Sequence, residues 1–142
     1  MRLEMSGWSI AIPSGWTAVV TGEPASLRLF LDADVRNEES TASVTSCGIE
    51  LSVRQTTQGH ADGVIRWHVA QGEPEVSMRR LGGKDVRALA WTDGVQNIET
   101  MFFETPAGVL LRADLVTPAF ESEVAARGRL EADRVLDSFT WR

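Results

Sequence analysis

The sequence predicts a single-domain α+β protein. The architecture expected is an α/β/α sandwich, with an N-terminal β-hairpin, an antiparallel sheet, one helix after a long strand and one long C-terminal helix. Three observations predict it. Apolar and polar residues alternate over most of the chain, the period of strands with one buried face. Two windows, about 59–71 and the stretch after Thr117-Pro118, change to the helical period of 3.6. The strands between those windows are joined by turns too short for the crossover that parallel pairing requires.

The elements follow in order. Trp8, Ile10 and Ile12 alternate with Ser9 and Ala11. Pro13-Ser14-Gly15 then brings turn chemistry, because Pro cannot donate to a ladder and Gly accepts positive φ. Trp16, Ala18 and Val20 restart the alternation, so these two strands are expected to pair as the hairpin, with Trp8 and Trp16 pinning it to the domain. Thr21-Gly22-Glu23-Pro24 punctuates the chain, and Leu27, Leu29 and Leu31 mark a third strand. Asp32 to Thr41 reads as a solvated loop, with Asp32, Asp34, Glu38 and Glu39 as its acidic run. In the long strand Cys47, Ile49, Leu51 and Val53 share one face, and Ser46, Glu50, Ser52 and Arg54 the other. Cys47 therefore reads as a small buried hydrophobe.

From about Gly59 to Gln71, Ala61, Val64, Ile65, His68 and Val69 fall on one helical arc with Trp67 at its margin, and Gly72-Glu73-Pro74 ends the helix. Strands are predicted over 75–81, 86–92, 95–104 and 108–116. Gly82-Gly83-Lys84-Asp85, Asp93-Gly94 and Thr105-Pro106-Ala107-Gly108 separate them. Asp-Gly between apolar runs is a strong hairpin signal, and the set reads as an antiparallel meander. Thr117-Pro118 has the chemistry of an N-cap with Pro at the first helical position, followed by Glu121 and Glu123 near the positive end of the dipole. Phe120, Val124, Ala125, Gly128, Ala132, Val135 and Leu136 share an arc whose middle is small, which predicts close approach to the sheet. Phe139 and Trp141 are then free to cover the sheet edge.

Composition bounds the function. A chain of 142 residues is one domain, large enough to bury a core without a metal or disulfide staple. Fourteen basic and twenty acidic residues leave a net charge of −6, which argues against a nucleic-acid partner. With one cysteine there is no internal disulfide and no cysteine-rich zinc site. No run resembles a signal peptide or reaches membrane-spanning length, so a cytoplasmic protein with no membrane partner is expected.

Three stretches carry a resemblance to a known family: "WSIAIPSGW", "LGGKDVRALAW" and "RVLDSFTW". The first looks like an opening strand, Pro and Gly-Trp, the second like a Gly followed by an apolar strand after the first helix. The third looks like a closing helix followed by Ser-Phe. In that order and spacing, over nearly the whole chain, they resemble the PsbP-like superfamily. It includes the Ran guanine-nucleotide release factor, LpqN-type lipoproteins, DcrB and the effector-associated chaperones of type VI secretion. The resemblance implies one PsbP-like domain over residues 1–142 and carries no catalytic motif with it.

The chemistry available for catalysis is thin. His60 and His68 stand eight residues apart, with no third ligand nearby for a metal. There is no Gly-x-Ser-x-Gly elbow, P-loop or Gly-x-Gly-x-x-Gly fingerprint. Neither an enzyme nor a cofactor is expected. Binding surfaces offer more. Arg79, Arg80, Lys84 and Arg87 gather around one turn, and Arg can clamp carboxylates bidentately. Arg87, Leu89 and Trp91 share a strand face, while Trp67 sits at the edge of the helical arc. Trp67, Arg79, Arg80, Lys84, Arg87 and Trp91 are therefore the candidate contacts of a non-catalytic adaptor or chaperone-like module. Its partner would be another protein, a homodimer included. The alternative is a carrier or sensor of a small apolar ligand held between sheet and helix.

Overall fold

The computed structural model describes residues 1–31, 49–72, 74–119 and 123–141, apart from the side chain of residue 124. The expected loop at 32–41, Cys47, Ser46, Glu73, Phe120 and Glu121 lie outside the described residues. The fold is α+β, with helices on both faces of an antiparallel sheet. The chain runs through β1 (Arg2–Met5), β2 (Trp8–Ala11), β3 (Trp16–Thr21), β4 (Ser26–Leu31) and β5 (Glu50–Gln55). Helix α1 (Gln58–Gln71) then leads to β6 (Glu75–Leu81), β7 (Lys84–Thr92), β8 (Gln96–Glu104) and β9 (Leu110–Pro118). Helix α2 (Glu123–Asp137) and β10 (Thr140–Trp141) complete it.

Seven strands form the main sheet in the order β3-β4-β5-β9-β8-β7-β6, every neighbour antiparallel. The expected meander is its β6–β9 half. At the Asp93-Gly94 turn the Asp93 carboxylate accepts from the amides of Gln96 (2.7 Å) and Val95 (2.8 Å), which hold its pKa below the usual carboxylate value.

Two expectations are corrected. An N-terminal hairpin exists, but its strands are β1 and β2, with Met5 opposite Trp8 across Ser6-Gly7. The tight turn at Ser6-Gly7, where Gly7 has φ +88°, captures the Trp8 strand before Pro13 is reached. Pro13–Gly15 instead carries the chain out of a second, three-stranded sheet, β1-β2-β10, into the large one. The layer is thus two sheets rather than one. Thr117 and Pro118 do not cap α2; they are the last residues of β9, opposite Asn97 and Gln96. Thr117 keeps the alternation, buried on the core face, and a Pro without an amide is tolerated at a strand end.

The core is one-sided. Leu27, Leu29, Leu51, Val53, Ala88, Met101, Leu111, Ala113 and Leu115 are all buried on the sheet face that meets α2 and the small sheet. Helix α2 lies close there: a methyl group at Gly128 would stand 2.0 Å from Ile49 Cδ1. Trp8 stacks on Phe139 with centroids 5.1 Å apart, and the buried Trp16 donates its indole N–H to Glu131 (2.7 Å). Both tryptophans are structural pins, but of two different sheets. No helix among the described residues is long and apolar enough to cross a membrane.

Candidate binding face

Helix α1 covers the opposite face. Thr57 caps it, its hydroxyl accepting from the His60 amide (3.1 Å). Of the predicted arc only Ala61 and His68 are buried and Val64 is half-buried; Ile65 and Val69 stand exposed. The helix is therefore seated along a narrow stripe rather than a full amphipathic face.

Beneath that stripe lies a polar cluster that strand periodicity assigns to solvent. Thr100 donates to Asp114 (2.7 Å), and Arg112 sets its Nε 2.9 Å and its Nη2 3.3 Å from the same carboxylate. The Nε contact is an ion pair off the hydrogen-bond line. Arg112 Nη1 reaches His60 Nε2 at 3.0 Å. Burial first, then the Arg112 guanidinium, lower the pKa of His68 against the opposing pull of Asp114. Apart from the Arg112 Nε, these polar groups bond one another, and among the described residues no set of three His, Cys, Asp or Glu is placed to hold a metal.

The predicted contact residues separate into two groups. Alternation along β6 sends Arg79 to the α2 face, where it clamps Glu99 (2.6 and 2.9 Å) and also bonds Asp133. Arg80 lies 4.0 Å from Asp137, and Lys84 sits over the Trp141 ring at 5.3 Å. The basic cluster read from sequence is thus mostly answered from within the molecule, by α2 carboxylates at Arg79 and Arg80 and by the Trp141 ring at Lys84. Arg87 has no ion pair among the described residues.

Trp67, Arg87 and Trp91 come together on the α1 face. Trp67 is 52% exposed and meets Trp91 edge-on at 6.2 Å, with the His68 ring 5.1 Å from one and 5.7 Å from the other. Leu89 follows Trp91 on the same face and pairs with Val76; Arg87 pairs with Met78. Val76 and Met78 are 55% and 59% exposed. These two were missed by the sequence reading, although their places in the β6 alternation put them beside Leu89 and Arg87. By register the apolar side chains run from Met78 and Val76 of β6 to the half-buried Leu89 and Trp91 of β7, and Trp91 meets Trp67, with Arg80 and Arg87 at the rim.

No family model matches the chain, and no curated protein matches it. A 1.50 Å crystal structure from Bacteroides thetaiotaomicron VPI-5482 is similar, with a TM-score of 0.54 at 14% identity. The likeness covers 99% of this chain and 48% of that one, so this chain spans about half the length of that neighbour. At this identity the likeness shows the fold alone.

Proposed function

We propose that the chain is a non-catalytic, PsbP-like protein-binding module whose docking face is the Trp67–Trp91–Val76–Met78 strip. One observation carries this reading: exposed Trp67 of α1 and exposed Val76 and Met78 of β6 flank the half-buried Leu89 and Trp91 of β7 on one face of the sheet. Scattered single hydrophobes, such as Val95 and Leu130, carry no such meaning. Trp and Arg are the side chains that most often dominate interface energetics, and here they stand within one rim. The fitting partner is a protein offering an apolar anchor flanked by carboxylates for Arg80 and Arg87. The mutual pairing of His60, Arg112, Asp114 and Thr100 supports a structural role for the polar cluster. An apolar ligand between sheet and α2 has no space where Gly128 meets Ile49.

The test compares capture by the wild-type chain with capture by Trp67→Ala and Arg87→Glu, with Leu130→Asp as a remote control. Loss of a hot-spot contact costs about 2 kcal/mol or more, roughly thirtyfold in Kd. A stoichiometric protein held by the wild type and the control, and released by both face variants, is the expected result. A partner that binds all three variants equally, or no stoichiometric partner at all, overturns the proposal.

A further inference from the structure

Strand β6 ends the main sheet, and among the described residues no strand pairs with its outer edge. Its turn to β7 has two central residues, Gly82 and Gly83, both at positive φ, with Leu81 opposite Lys84. A turn of this length closes on a hydrogen-bonded pair, so Leu81, Arg79, Ser77 and Glu75 bond inward to β7. The amides and carbonyls of Val76, Met78 and Arg80 therefore point away from the sheet. Edge strands are ordinarily blunted by a Lys, a Pro, a bulge or a covering element. Among the described residues, none of these lies on β6 over 75–78 (Glu-Val-Ser-Met), whose one charged side chain is Glu75, whereas its Arg79–Leu81 end is flanked by Asp133 and Asp137 of α2.

We propose that β6 is a self-pairing edge, and that two copies of this chain form a two-fold dimer through antiparallel β6–β6 pairing centred on Ser77. In that register Ser77 meets its own mate, Val76 meets Met78 of the second copy, and Glu75 meets Arg79. Apolar faces apolar on one side of the sheet, and carboxylate faces guanidinium on the other. Glu75 approaches an Arg79 already bonded to Glu99 and Asp133, so this contact selects register through charge rather than adding a strong bond. Moving the centre to Met78 sets Val76 against Arg80 and Glu75 against Leu81, which loses both matches. Moving it by half a step puts the α1 face of one copy beside the α2 face of the other. The Ser77 centre also uses the open half of the edge and stays clear of α2. With the axis normal to the sheet, both α1 helices lie on one side, and the two Trp67–Trp91 patches share one surface. The dimer requires no outside partner, so it stands or falls separately from the docking proposal.

Sedimentation equilibrium and light scattering test the edge. At about 100 μM the wild-type chain is expected at twice its monomer mass, with a Kd in the micromolar range that suits a short strand-pairing interface. Met78→Lys is expected to weaken it about tenfold or more with an unchanged far-UV spectrum, since an edge Lys repels strand pairing. Ser77→Cys in a Cys47→Ser background tests the register. A non-hydrogen-bonded antiparallel pair sets its Cα atoms about 4.5 Å apart, within disulfide reach, so mild oxidation gives a covalent dimer. A monomeric mass at that concentration, or a dimer that Met78→Lys leaves intact, overturns the pairing. Cross-linking through Met78→Cys in place of Ser77→Cys overturns the register.

Discussion

Replacing Gly128 by Ala tests the closest contact between α2 and the sheet. On helix propensity alone the change stabilises by about 1 kcal/mol. The new methyl, however, meets Ile49 Cδ1 at 2.0 Å, Ile49 Cγ1 at 3.3 Å and Leu31 Cδ2 at 3.3 Å. Ile49 is fully buried, so its terminal methyl has no solvent to swing into. Overpacking of a closed core costs about 1–3 kcal/mol, which outweighs the propensity gain and leaves a net loss of about 1 kcal/mol. Ile49→Val removes the offending Cδ1 and by itself costs about 0.5–1.5 kcal/mol. In the double variant the Ala methyl occupies the space that Cδ1 vacates, so the two changes couple favourably by about 1–2 kcal/mol. Urea unfolding of the four proteins, followed by tryptophan fluorescence and far-UV circular dichroism, gives the cycle. A Gly128→Ala variant more stable than the wild type, with strictly additive effects of Ile49→Val, would refute the close approach.

Two further outcomes follow from the same packing. Glu131→Ala leaves the buried indole N–H of Trp16 without its charged acceptor and should cost about 1–2 kcal/mol in urea unfolding, with Glu131→Gln recovering part of it; equal midpoints for both variants would dismiss that bond. The lowered pKa of His68 means that the unfolded chain takes up the proton first as pH falls. Its contribution is present above the unfolded value of about 6.5 and is lost as pH drops from there through the lower folded value. His68→Leu should therefore flatten thermal stability between about pH 7.5 and pH 5 relative to the wild type. A variant that loses stability as steeply as the wild type over that range would remove His68 from the balance.

Alternation and turn chemistry made the β6–β9 meander legible, because each strand and each tight turn is encoded within a few neighbouring residues. The partner of the Trp8 strand was not. Periodicity says that Trp8 and Ile10 are buried but not against what, and the choice fell to Ser6-Gly7, a shorter turn than Pro13–Gly15. Thr117-Pro118 carries the same residues whether it opens a helix or ends a strand, and pairing with β8 decided it. In the candidate face, Arg87, Leu89 and Trp91 were readable as one side of a strand. Arg79 and Arg80 were read together although alternation already parts them. Arg112, Asp114 and Thr100 were missed because polar residues on the outward side of a strand look solvated until a helix carrying His60 is laid over them.

That placement of α1 explains why one face of the sheet is closed and the other half open. The chain must cross from β5 to β6 over β9, β8 and β7, four strand spacings or about 19 Å, and also return along the strand direction because β5 and β6 run parallel. A helix of 14 residues is about 21 Å long, so it can meet both demands only by lying diagonally. His60 over Arg112 of β9 and His68 beside Trp91 of β7 fix the two ends of that diagonal. Among the described residues, a diagonal leaves two opposite corners of the sheet without a covering helix. In one, Arg28 and Glu50 pair at 2.7 Å and present an ordinary charged surface. In the other, the strands present Val76, Met78 and Leu89 with a cation at either side, and the last turns of α1 add Trp67. On the far face the small centre of α2 at Ala125, Gly128 and Ala132 lets that helix sink onto the sheet and close the core. The open corner is therefore a consequence of where the crossover must run, and its apolar lining is what the sequence has added to it.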